Sequence, residues 1–314
     1  MAIGGDQGGS VRIPASHCGI VGLKPTYGLV PYTGAIPIAT PIDHLGPMTR
    51  TVEDCAAMLE VMAGFDDNRD SRQPSNGIPK KNYVEESKKP ANDLKVGVLK
   101  EGFTNCEKDV VSAVEKALEV IRKAGIFASV EEVSIPMHIM GYGTGMYGHM
   151  ISGLSEKFRQ GLALNSHQLS HTCRMCTLWG AYAQDKYGQA PYAKAQTLAY
   201  QLRQKYDEAF QKFDILLMPT LTRSPCLIPT KDTPLTEKLA NSLNVFGNAA
   251  PFNTTHHPAL TLNAGFSPDN DCPVGVQLVG RLWEDEVVLR AGSAVETALK
   301  DNQTNSKGKK LGHF

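Results

Sequence analysis

The stretch from Leu94 to Val133 constrains the fold more than any other part of this 314-residue chain. Leu94–Leu99 is a short apolar run and predicts a strand. Residues 107–124 repeat Val110, Val114, Ala117, Leu118 and Ile121 at helical spacing, with Gly125 as a stop. Ile126–Val133 predicts a second strand. Strand, helix, strand at this spacing requires a crossover, so part of the sheet must be parallel, and the crossover is expected to be right-handed. The predicted fold class is therefore α/β, a mixed central sheet flanked by helices.

The rest of the chain fits around that unit. Residues 1–50 are rich in Gly and Pro and predict tight loops between short strands such as Gly19–Leu23. Thr51 can cap a helix over 52–63 that Gly64 ends. Residues 65–93 form a polar connection. Residues 135–213 predict a mostly helical region facing substrate. Phe213–Met218 and Val274–Val279 predict strands, 219–271 a loop-rich stretch, and 284–299 a closing helix. One domain is expected over 1–300, with a polar tail over 301–314.

Charge and cysteine content narrow the function. Lys plus Arg equals Asp plus Glu at 32 each, so no general field draws the chain to nucleic acid or an anionic membrane. A small neutral partner is the first expectation. Seven scattered cysteines in a chain this long argue against a disulfide framework and for a reducing compartment. Residues 1–12 do not form a signal peptide, and no apolar run reaches the ~18 residues of a transmembrane helix. The expected location is cytoplasmic.

The chemistry concentrates in Gly4-Gly5-Asp6-Gln7-Gly8-Gly9-Ser10-Val11-Arg12. Four glycines crowd one serine. Glycines let a ligand approach the main chain, and consecutive N–H groups in such a loop can form an anion-binding concavity. Acyl transfer needs that device for its oxyanion, beside a nucleophilic hydroxyl. A glycine-rich turn capped by Ser10 is the alternative that composition leaves open. Neither a P-loop nor a dinucleotide GxGxxG is matched, and the hydrolase elbow GxSxG fails because Val11 and Arg12 follow Ser10.

GGDQGGSVRIPASHCGIVGLKPTYGLVPYTG followed by DHLGPMTRTVEDCA resembles the core motif of the amidase-signature family. FDILLMPT, FNTTHHPALTLNAG and PVGVQLVG extend the likeness over nearly the whole chain. The resemblance implies hydrolysis of a carbon–nitrogen amide bond through an acyl-enzyme on Ser10. It implies an oxyanion hole from the backbone N–H groups of Gln7, Gly8, Gly9 and Ser10, and a loop braced by Asp6 and Arg12. Asp43 and Arg50 fit family positions as scaffold. No cofactor or metal is implied.

The family's device is Ser–cis-Ser–Lys, and its second serine and lysine precede the nucleophile. Nine residues precede Ser10 here, so the expectation is a truncated amidase-signature domain with impaired activity on its own. Asp6-Gln7 and PYTG resemble small-molecule amidases of nitrile metabolism more than the A subunit of the glutamyl-tRNA amidotransferase, which stays an alternative. A catalytically inactive relic or binding protein is another, and homodimerisation is left open.

Other constellations rank lower. His167 and His171 share a helical face, but Cys173 and Cys176 point away from it, which disfavours zinc. Adjacent Asp43 and His44 are poorly placed to form a triad with Ser10. Lys24 is a test case for a base from elsewhere in the chain. His256 and His257 suit loop packing. Trp179, Tyr182, Tyr187 and Tyr192 are core or pocket candidates.

Overall fold

In a computed structural model the described residues are 1–78, 80–136, 168–188 and 190–305. Eight strands form one mixed sheet: β1 (Ala2–Asp6), β2 (Val21–Lys24), β3 (His44–Thr49), β4 (Lys95–Leu99), β5 (Ser129–Val133), β6 (Ile215–Pro219), β7 (Ala259–Phe266) and β8 (Pro273–Gly280). Their spatial order is β1-β3-β2-β7-β8-β6-β4-β5. The crossover unit is present: β4 pairs in parallel with both β5 and β6, and α4 (Lys108–Ala124) connects β4 to β5. All other pairings are antiparallel.

The five apolar positions that predict α4 are all buried, and Gly125 ends the helix at φ 61°. Thr51 caps α2 (Val52–Met62), its hydroxyl accepting from the Asp54 N–H at 3.1 Å. The main core lies between the sheet and α2, α3 (Tyr83–Ser87), α4 and α9 (Asp285–Asn305). From α9 it receives Val288, Leu289, Ala291, Val295 and Leu299. Each large aliphatic side chain among them contributes ~1.5–3 kcal/mol when fully buried. A smaller cluster on Tyr206, Phe210, Phe213 and Phe252 fixes the end of α6 (Ala190–Ala209) against the other side. Among the described residues no helix is long and apolar enough to cross a membrane.

Three expectations need correction. The stretch 219–271 is not simply loop: it holds α7 (Leu235–Leu243), α8 (Ala250–Thr255) and β7, an inner strand of the sheet. β7 does alternate apolar and polar residues over 260–264, but the run is short and follows the turn-rich residues 253–258. Residues 12–18 form α1 (Arg12–Cys18), which the Gly-rich sequence before it does not announce. The closing helix reaches Asn305, beyond both the predicted end at 299 and the start of the predicted tail.

The helical expectation for 135–213 is met where it is described, in α5 (His171–Tyr187) and α6. Residues 137–167, with His167, lie outside the described residues.

Candidate active site

β1 ends at Asp6, and the next six residues are organised by that one carboxylate. Its Oδ1 accepts from the Gly9 N–H at 2.7 Å and its Oδ2 from the Val11 N–H at 3.1 Å. The loop is thus wound around its own first side chain. Gly9 sits at φ 129°, a conformation that glycine adopts freely. A Cβ there would lie 2.6 Å from the Ala249 Cβ and 2.8 Å from Ile13. Ser10 follows at the entry to α1 and is exposed, while its neighbours Gly9, Val11 and Arg12 are buried.

Arg12 fixes the loop to the far end of the chain. Fully buried, it forms an ion pair with Asp6 at 3.0 Å. Nη1 donates to the Ala249 carbonyl and to Gln277 Oε1, both at 2.8 Å, and Nη2 to Asn253 Oδ1 at 2.6 Å. Asn253 Nδ2 in turn donates to Asp6 Oδ1 and to the Asp6 backbone oxygen, each at 2.8 Å. Burial alone would push the Asp6 carboxyl up. The charge and hydrogen bonds of Arg12, the bond from Asn253 and the nearby Lys24 outweigh burial and hold it at about 2. Gln277 Nε2 donates to the Asn248 carbonyl, and Asn248 Nδ2 donates to the carbonyls of Gly102 and Pro219. The Ser10 loop is therefore tied to the carboxyl ends of β4 and β6, where open α/β sheets place their sites.

Among the described residues none accepts from the backbone N–H of Gln7, Gly8 or Ser10. The Gly9 N–H differs, because Asp6 occupies it. The Gln7 side chain turns aside to donate to the Tyr32 hydroxyl at 3.0 Å, and the Phe246 ring lies against Gly8, 3.2 Å from where its Cβ would be. Among the described residues no side chain is bonded to the Ser10 hydroxyl.

The remaining candidates take structural places. The Asp43 carboxylate accepts from the N–H groups of Ile38 and Ala39, and His44 Nδ1 donates to the Ile42 carbonyl from a fully buried ring, so the two form no triad with Ser10. Arg50 is exposed. Lys24 is fully buried and donates to the Pro25 carbonyl at 2.9 Å. Burial and the Arg12 charge push its amine well below the ordinary lysine value, against the pull of Asp6 and Asp285. It does not reach Ser10 through a serine.

His256 stacks on Tyr27 at 4.1 Å, and His257 bridges Asp207 and Thr255 in the interior. Trp179, Tyr182 and Tyr187 are at least half exposed, so they are not core residues. Among the described residues no three His, Cys, Asp or Glu side chains converge as a metal site. Asn253, Gln277 and Asn248 do not stand out in the sequence as site residues. Asn253 and Gln277 lie within the segments FNTTHHPALTLNAG and PVGVQLVG, whose family likeness is the one signal that points toward them.

The candidate site is thus an exposed serine at the end of a loop locked by a buried Asp–Arg pair and rimmed by open backbone donors. The chain belongs to the Amidase family, whose profile matches residues 1–289. It is 39% identical to an enantioselective amidase of Rhodococcus rhodochrous over 95% of this chain and 60% of that protein. It is 32% identical to the A subunit of the glutamyl-tRNA(Gln) amidotransferase of Neisseria meningitidis over 94% of this chain and 63% of the relative. The crystal structure of the corresponding Thermotoga maritima protein superposes with a TM-score of 0.73 at 30% identity, covering 94% of this chain and 62% of that one. The chain thus spans a little over three-fifths of the length of these relatives.

Proposed function

We propose that the protein is a serine hydrolase of linear carboxylic amides, giving a carboxylic acid and ammonia or an amine. Ser10 Oγ attacks the carbonyl carbon, the carbonyl oxygen becomes an oxyanion, and collapse expels the amine to leave an ester on Ser10. Water then releases the acid. The N–H groups of Gln7, Gly8 and Ser10 receive the oxyanion; the Gly9 N–H holds the loop in shape through Asp6 instead. Removing one such donor typically costs ~10²–10³ in rate. Asp6 and Arg12 are positioning residues. The carrying observation is the exposed Ser10 beside three N–H groups without protein partners among the described residues.

The hydroxyl proton needs a base, and by the family resemblance that base is a lysine acting through a second serine. The helical layer of α5 and α6 faces the substrate. The higher identity to the enantioselective amidase favours a small-molecule amide. The likeness to the amidotransferase relative keeps a subunit of a tRNA-dependent amidotransferase as the second reading. The seven free cysteines support a reducing, cytoplasmic setting.

The test is labelling with a fluorophosphonate and peptide mass spectrometry. The adduct is expected on Ser10 and absent from Ser10→Ala. An adduct elsewhere, or one that survives the substitution, refutes the assignment.

A further inference from the structure

A cavity of about 170 Å³ lies between α6, the 3-10 turn Thr40–Ile42 and the C-terminal end of α8. At ~30 Å³ per water it has room for about five or six waters, which suits a small organic molecule and not a peptide or nucleotide. Ile42 and Tyr192 give it apolar wall, and Gln196, Tyr200, Arg203 and His256 give it polar groups. No lining residue is acidic.

Arg203 sets the electrostatics. Its Nε stands 4.0 Å from Asp207 Oδ2, too far for a hydrogen bond, and the other Asp207 oxygen is taken by His257 at 3.1 Å. Among the described residues no group accepts a hydrogen bond from the Arg203 guanidinium. Across the cavity His256 donates from Nε2 to the Pro41 carbonyl at 2.9 Å, which leaves Nδ1 without a proton. Burial pushes that imidazole down to about 4, and the Arg203 charge adds to the effect, so the ring is neutral at pH 7. Arg203 thus pairs with Asp207 only through space, at 4.0 Å, and its planar guanidinium keeps its hydrogen-bond donors for a ligand, the geometry that matches a carboxylate.

We propose that this cavity binds a small organic carboxylate, with the Arg203 guanidinium on the carboxyl group and the Tyr192 and Ile42 wall against its carbon skeleton. Thr254 and His256 belong to the same short segment as Asn253, which bonds Asp6, so the site is built into the element that braces the Ser10 loop. The ligand is either the acid part of an amide processed at Ser10 or a separate acidic effector. Only that choice of source rests on the hydrolase reading.

The experiment is calorimetric titration of benzoate, cyclohexanecarboxylate and the neutral benzamide into the 314-residue chain and its Arg203→Gln, Arg203→Lys and Ser10→Ala variants. The acids are expected to bind at least ~tenfold more tightly than the amide, as one charge-assisted pair provides. Arg203→Gln should erase the preference, Arg203→Lys should keep part of it, and Ser10→Ala should leave it intact, with melting temperatures showing that each variant folds. Equal binding of acid and amide, no binding of either, or a preference that survives Arg203→Gln overturns the proposal. A bound acid that slows fluorophosphonate labelling of Ser10 identifies the substrate's acid part. An acid that binds without changing the labelling rate identifies an effector. The titration decides the carboxylate site whether or not Ser10 labels, so the two readings fail separately.

Discussion

Replacing Asp6 by Asn keeps the shape and removes one charge from the most heavily bonded group of the site. The carboxylate accepts from the N–H groups of Gly9 and Val11, from Arg12 and from Asn253. An amide offers one acceptor atom where these donors need two, and it leaves the Arg12 guanidinium buried without a counter-charge. Breaking a buried pair by removing one partner costs ~3–5 kcal/mol, a large share of the ~5–15 kcal/mol that holds a typical domain together.

The wild-type protein provides an independent gauge. Asp6 is lowered from the ordinary 3.8 to about 2, which at ~1.4 kcal/mol per pH unit makes about 2 kcal/mol. Because the folded value is the depressed one, this contribution is fully present above 3.8 and disappears as pH falls through 2. The mutational loss is expected to exceed that figure, since protonation removes the charge while substitution also removes an acceptor. Urea denaturation of wild type and Asp6→Asn at pH 7 and pH 3 measures both quantities. The gap should be at least ~3 kcal/mol at pH 7 and smaller at pH 3. A variant within ~1 kcal/mol of wild type at pH 7, or a gap that does not shrink in acid, refutes the claim that this pair holds the loop.

Two further positions probe the surroundings. Gly9→Ala forces a Cβ to 2.6 Å from Ala249 at positive φ. It should cost ~1–3 kcal/mol and abolish labelling of Ser10, whereas Gly8→Ala, facing only the Phe246 ring at 3.2 Å, should fold with a smaller loss; melting curves and labelling rates check both. Lys24→Met should stabilise the protein at pH 7 by on the order of 1 kcal/mol, because burial disfavours the ammonium. That advantage should shrink as pH rises toward 10.5, where the unfolded lysine also loses its proton, and urea titrations across pH would show it.

The crossover at 94–133 is legible in the sequence because its signals are local: an amphipathic repeat, a glycine stop and two apolar runs. The glycine loop is legible through its family resemblance, since its composition fits a capped turn as well as an anion-binding concavity. Its division of labour is not. That the Gly9 N–H belongs to Asp6, while Gln7, Gly8 and Ser10 keep theirs open, depends on which way each peptide faces, and residue types do not encode that. β7 escapes because its alternating run over 260–264 is short and its neighbours at 253–258 read as turn, while its place between β2 and β8 is set by pairing. Asn253 and Gln277 escape because a buried amide looks in sequence like any surface amide until its distant partner is known.

Arg12 draws its partners from positions 237 and 265 residues further along the chain. A ribosome has made most of the polypeptide before those partners exist. The loop is thus made well before the residues that complete it. Until β8 takes its place, Arg12 has no Gln277 to hold and the bracing network of Ser10 stays incomplete. The assembly of this corner thereby reports on the folding of the chain from β1 through β8.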